Sequence, residues 1–147
     1  MFEVSGKIIA VTGASSGIGQ AMASHLAKSG AKVIAIARRT EALSKWAENT
    51  YGSVGFVAAD LGDIDSLANV SQKIKSHFGN VDILINAAGL NPRIHADEVT
   101  KKIWNETLDI NLNAPFFLAQ QMVPIGQVVP VFDIAFENPH IWRQDRV

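Results

Sequence analysis

The chain has 147 residues, 48% of them apolar and 18% charged, with a formal net charge of -1 and no cysteine. That length suits one domain burying roughly two thirds of its unfolded surface, and the composition argues against disorder and against a polyanion-binding surface, so nucleic acid is not an expected partner. The lack of cysteine excludes disulfides, thiolate metal ligands and a cysteine nucleophile, and no apolar run approaches the roughly 20 residues of a membrane-spanning helix, so a soluble, cytoplasmic protein is the expectation.

Lys7 to Thr12 is a β-branched apolar run between Gly6 and Gly13, which reads as a buried strand. From Gly17 to Ser29, Ile18, Ala21, Met22 and Leu26 recur at helical spacing, and Gly30 follows at a C-cap position. Lys32 to Ala37 reads as a second strand, and Thr40 to about Asn49 as a helix with Leu43, Trp46 and Ala47 on one face. The alternation repeats with a strand at Val54 to Ala59 and a helix marked by Leu67, Val70, Ile74 and Phe78. A strand at Val81 to Asn86 then ends in Ala87-Ala88-Gly89.

After a loop containing Asn91-Pro92-Arg93, a long helix is expected from about Thr100 to Met122, with Ile103, Thr107, Ile110, Ala114 and Phe117 along one side. Pro115 lies within it and cannot donate the helical hydrogen bond, which predicts a kink near Asn111. Gln127 to Phe136 has strand-like composition interrupted by Pro130, which forbids a central ladder position. Continuous apolar strands alternating with amphipathic helices require a parallel sheet covered on both faces. The fold class is therefore α/β, a Rossmann-like doubly wound parallel sheet of about four strands plus a long helix. Residues 1–123 form the nucleotide-binding domain and residues 124–147 an atypical, irregular tail.

Between the first strand and helix lies Thr12-Gly13-Ala14-Ser15-Ser16-Gly17-Ile18-Gly19. A glycine-rich turn at this point lets backbone N–H groups approach a pyrophosphate while the helix N-terminus adds partial positive charge. Three turn and packing glycines with no ligand are the alternative; the placement directly after a strand and before a helix favours the nucleotide. An acid at the end of the second strand would pair with the ribose 2′-hydroxyl of NAD, but Ala37 is followed by Arg38 and Arg39. Guanidinium groups suit a 2′-phosphate, so NADP is favoured over NAD. A solvated strand exit is the alternative for this pair.

The glycine turn, Asp60-Leu61 after the third strand, Asn86-Ala87-Ala88-Gly89 after the fourth, and Asn111 in Asp109-Ile110-Asn111-Leu112 stand in motif order. In these the chain resembles the short-chain dehydrogenase/reductases of the classical type over about Val4 to Met122. The resemblance implies NAD(P)(H)-dependent exchange between a small carbonyl and an alcohol. It implies cofactor contacts at Gly13, Ser15, Ser16, Gly17, Ile18, Gly19, Arg38, Arg39, Asp60 and Leu61, with Asn86, Ala87 and Gly89 steadying the sheet and lining the cleft. Asn111 would be the catalytic asparagine, which holds a water in a proton relay. The bland alternatives are a helix cap for Asp60, a strand exit for Asn86 to Gly89, and a backbone partner beside Pro115 for Asn111.

The family also uses a serine and a Tyr-x-x-x-Lys pair beyond that asparagine, to protonate the developing alkoxide. The last serine here is Ser76, the single tyrosine is Tyr51 and the last lysine is Lys102. Efficient turnover by these residues alone is not expected, and the loss of pattern after about Pro124 reads as a shifted reading frame or a premature end. A catalytically empty nucleotide-binding or interaction module, or a non-functional fragment, are the alternatives. An uncovered sheet edge and the apolar side of the helix near 103–117 would invite association, as a homo-oligomer or with another chain. Trp104, Phe116 and Phe117 are expected in the core or in subunit contacts. His25, His77, His95 and His140 show no metal-ligand spacing, so no metal is expected.

Overall fold

In a computed structural model the described residues are 3–123 and 131–133. Strands Ile8–Thr12 (β1), Lys32–Ala37 (β2), Val54–Ala58 (β3), Ile83–Asn86 (β4) and Val131–Asp133 (β5) form one sheet in the order β3-β2-β1-β4-β5, and every paired neighbour is parallel. The connecting helices are Gly17–Lys28 (α1), Thr40–Asn49 (α2), Leu67–Phe78 (α3), Lys101–Leu108 (α4) and Ala114–Met122 (α5). The α/β doubly wound reading therefore holds, with the short β5 added beside the four strands legible in the sequence. β5 lies within the span expected to be an irregular tail and starts at the residue after Pro130. The rest of that span, 124–130 and 134–147, lies outside the described residues.

Strand side chains alternate between two cores. Ile9, Val11, Val33 and Ala35 pack with Ala23, Ala27, Leu43 and Trp46 from α1 and α2. Ala10, Ile34, Ile36 and Leu84 meet Ile74, Leu118 and Met122 from α3 and α5 on the opposite face. Burial on both faces is what made the strands read as unbroken apolar runs.

Two helix faces differ from the periodicity. In α1 the buried residues are Gly19, Ala23 and Ala27, while Ile18 and Ala21 are exposed and Met22 and Leu26 flank the contact. Small side chains at the contact let α1 sit close against the sheet, so the larger residues are displaced to its margins. The expected long helix is present from Thr100, whose hydroxyl accepts from the Ile103 N–H at 3.3 Å as its N-cap. Instead of a simple proline kink, a π-helical turn at Asp109–Asn113 joins α4 to α5. Pro115 occupies the first turn of α5, where its missing N–H is least costly. The wider turn inserts a residue into the helical phase. Leu118 and Met122 thereby become fully buried, whereas Phe117, expected on the apolar side, is 38% exposed.

Candidate functional site

The topology fixes where a ligand can lie. From β1 the chain winds outward through β2 to β3, then crosses back to place β4 on the other flank of β1. The β1 and β4 connections leave in opposite directions, opening a crevice at the carboxyl ends of the strands. A cleft of about 610 Å³ occupies this point. Its wall holds Gly13, Ser15, Ser16, Gly17, Ile18 and Gly19 from the glycine turn, Arg38 and Arg39 from the exit of β2, and Asp60 and Leu61 from the exit of β3. Ala87 and Gly89 complete it from the exit of β4. Residues from Gly13 to Ile110, 97 positions apart in sequence, are thus brought to one surface.

The glycine turn is built by close approach. Gly13 has φ +66°, and a Cβ there would lie 2.6 Å from the Ala87 carbonyl oxygen. A Cβ on Gly19 would lie 2.6 Å from the Gly13 carbonyl oxygen. Gly17 has φ +59° and open space beside it, so its requirement is the left-handed backbone alone. Ser16, the N-cap of α1, makes no side-chain cap bond, and the first turn carries no acid. Among the described residues the N-terminal amides of α1 therefore have no side-chain acceptor, in the arrangement that suits an anion.

Thr12 ties the two halves of the cleft together. Its buried hydroxyl accepts from the Ala87 and Ala88 N–H groups, both at 3.1 Å, joining β1 to the exit of β4. Nothing local in the sequence marks this role beyond a polar residue closing an apolar strand. Ala37, Ala59, Ala88, Leu90 and Ile110 complete the wall; of these, Ala59 and Leu90 carry no sequence signal for the cleft.

The two arginines are differently engaged. The Arg39 guanidinium lies over the glycine turn, with Nη2 donating to Ser16 Oγ at 2.6 Å and to Ser15 Oγ at 3.1 Å, and Nε donating to Ser15 Oγ at 3.2 Å. Arg38 is exposed in the same wall and makes no side-chain hydrogen bond among the described residues. On the far side, Asp60 Oδ1 accepts from the Gly62 N–H at 3.0 Å, which shapes the turn after β3.

Two expected site residues stand behind the wall. Asn86 is 2% exposed, and its Nδ2 has no hydrogen-bond partner among the described residues. Asn111, in the π-turn, grips the backbone of Leu90 from both directions. Its Nδ2 donates to the Leu90 carbonyl at 2.8 Å, and its Oδ1 accepts from the Leu90 N–H at 2.7 Å. It thus satisfies the loop after β4 rather than the helix beside Pro115, and it fixes the rim of the cleft opposite the arginines. Among the described residues no three histidines or carboxylates come together as metal ligands, and no helix is long and apolar enough to cross a membrane.

A family model described as short chain dehydrogenase matches residues 7–134. The chain belongs to that family. The match runs past Met122, where the motif reading stops. Among the similar proteins, D-threitol dehydrogenase of Mycolicibacterium smegmatis is 37% identical over 122 residues, covering 81% of this chain and 47% of that protein. Gluconate 5-dehydrogenase of Gluconobacter oxydans is 36% identical over 135 residues, covering 86% of this chain and 52% of that protein. The crystal structure of L-sorbose reductase from Gluconobacter frateurii, complexed with NADPH and L-sorbose, superposes with a TM-score of 0.77 at 34% identity, covering 82% of this chain and 48% of that one. The chain spans about half the length of the relatives it matches.

Proposed function

We propose that the chain binds NADP(H) in the cleft at the carboxyl ends of β1, β2 and β4, as the nucleotide half of an oxidoreductase acting on an alcohol or carbonyl. The observation that carries this reading is the glycine turn, where a Cβ at Gly13 or Gly19 would collide with backbone and where the α1 amides have no side-chain acceptor among the described residues. Those amides hold the diphosphate, Arg38 and Arg39 receive the 2′-phosphate, and Asp60 and Leu61 flank the adenine. The bound nicotinamide supplies the hydride acceptor or donor. Asn111, through Leu90, keeps the rim on the β4 side in register with it.

A polyhydroxylated carbon chain is the proposed substrate class, in keeping with the D-threitol, gluconate and L-sorbose enzymes among the similar proteins. No serine, tyrosine or lysine follows Asn111 in these 147 residues, so we assign to them cofactor binding rather than turnover. The exposed apolar side chains Trp104, Leu112, Phe116 and Phe117 are proposed to meet a second copy of the chain.

Calorimetric titration of the chain and of Arg38→Ala and Arg39→Ala with NADPH and NADH tests the assignment. A charge-assisted contact to phosphate is worth about 1.5–3 kcal/mol, so each variant should lose roughly tenfold or more in NADPH affinity and little for NADH. Equal losses for both dinucleotides would remove the 2′-phosphate role. Arg39→Ala also frees Ser15 and Ser16, so any change it makes in NADH binding reads the cost of loosening the turn.

A further inference from the structure

We infer that Asp109 and Asn113 are positioning residues, whose side-chain bond holds the π-turn and through it keeps the two walls of the cleft in register; the inference rests on the cofactor reading above. The π-turn touches both walls. Asn111 grips Leu90 on the β4 side. Its neighbour Ile110 reaches the β3 side, where Cδ1 stands 3.3 Å from the place of a Cβ on Gly62, in the turn that Asp60 shapes. Leu90, Ile110 and Asp60 all line the cleft. The 5 residues of the π-turn thus set the spacing of two loops whose strands stand on opposite flanks of β1.

In an α-helix the Asp109 carbonyl would take the Asn113 N–H, but here it takes that of Ala114, the next residue. The side chains of the same two residues restore a link between them, with Asn113 Nδ2 donating to Asp109 Oδ1 at 2.8 Å. Both residues are half-buried, and a carboxylate acceptor makes the bond one of the stronger kind. The helix beyond cannot turn to absorb a change. Leu118 and Met122 are fully buried, and the Gln121 carbonyl accepts from Ser71 Oγ at 3.1 Å and from Lys75 Nζ at 2.9 Å, both on α3. Reversion to an α-helical turn therefore rotates the α4 side by roughly 100°, the angle of one residue, and carries Ile110 and Asn111 away from their walls.

The test combines ¹⁵N-resolved shifts of the Leu90 amide in the cofactor-free full chain with calorimetric titration of NADPH. Asn113→Ala should move the Leu90 resonance toward its position in Asn111→Ala and weaken NADPH binding at least about threefold. Joined to Asn111→Ala it should add little, because both act through one contact. Exchanging the pair, Asp109→Asn with Asn113→Asp, rebuilds the bond with its polarity reversed and should restore both readings. If the alanine variant does not fold, Asp109→Asn, which keeps the side chain's shape and removes its charge, makes the same comparison. A Leu90 amide that stays in place, full additivity with Asn111→Ala, or an exchanged pair no better than the alanine would overturn the inference. Absence of NADPH binding by the parent chain would sink the cofactor reading, and the Leu90 shifts would still decide whether the pair sets the rim.

Discussion

At the scale of single residues, the cleft depends on atoms that are missing. Gly19 packs its α-carbon against the Gly13 carbonyl, and a methyl group there would meet backbone that cannot rotate aside. Gly19→Ala should therefore cost about 1–3 kcal/mol of stability by overpacking and, by prying the turn open, weaken NADPH binding by an order of magnitude or more. Gly17→Ala meets no atom within 4 Å but must hold φ near +59°, so its cost should stay near the ~1–2 kcal/mol of a left-handed residue. Urea unfolding and titration of both variants separate crowding from conformation; indistinguishable behaviour would show that close approach is not what the turn requires. The glycines were legible in the sequence because a strand, a turn and a helix follow one another without a gap. The Thr12 hydroxyl was not, because its partners lie 75 and 76 residues away and nothing local marks them.

At the scale of elements, the strands and the first three helices follow from pattern because each is buried in the ordinary way, along one face or both. The run from α4 to α5 does not. Pro115 correctly signals a disturbance near Asn111, yet a π-turn changes the phase of a helix without changing its composition, so periodicity placed Phe117 inward where Leu118 stands. The same turn carries Asn111, whose two bonds to Leu90 join the helix to the cleft rim. Leu118→Ala should destabilise the chain by about 2–5 kcal/mol, as for a large side chain removed from a closed core. Phe117→Ala should cost under about 1 kcal/mol. Denaturant midpoints read the contrast, and a larger loss at Phe117 would mean that the helix keeps its uninterrupted phase.

At the scale of the whole molecule, the central position of β1 orders the cleft from the arginines of β2 to the loop after β4. That arrangement was foreseeable from the alternation of strands and helices, whereas the pairing of Val131–Asp133 with β4 was not, since three residues after a proline carry almost no strand signal. The exposure of Trp104 and Phe116, 58% and 62%, likewise separates two readings that sequence left together, core and contact surface. Sedimentation velocity should show concentration-dependent association at micromolar chain that Phe116→Ser weakens, and a monomer at all concentrations would remove the proposed contact between copies.

The central claim is that backbone amides at the start of α1 hold the cofactor diphosphate. Hydrogen–deuterium exchange with and without saturating NADPH tests it most directly. Slowed exchange in peptides spanning residues 13–19, with α2 peptides from residues 40–49 unchanged, is the predicted result. Identical exchange at residues 13–19 in the two conditions, from a chain that calorimetry shows to be saturated, would contradict it.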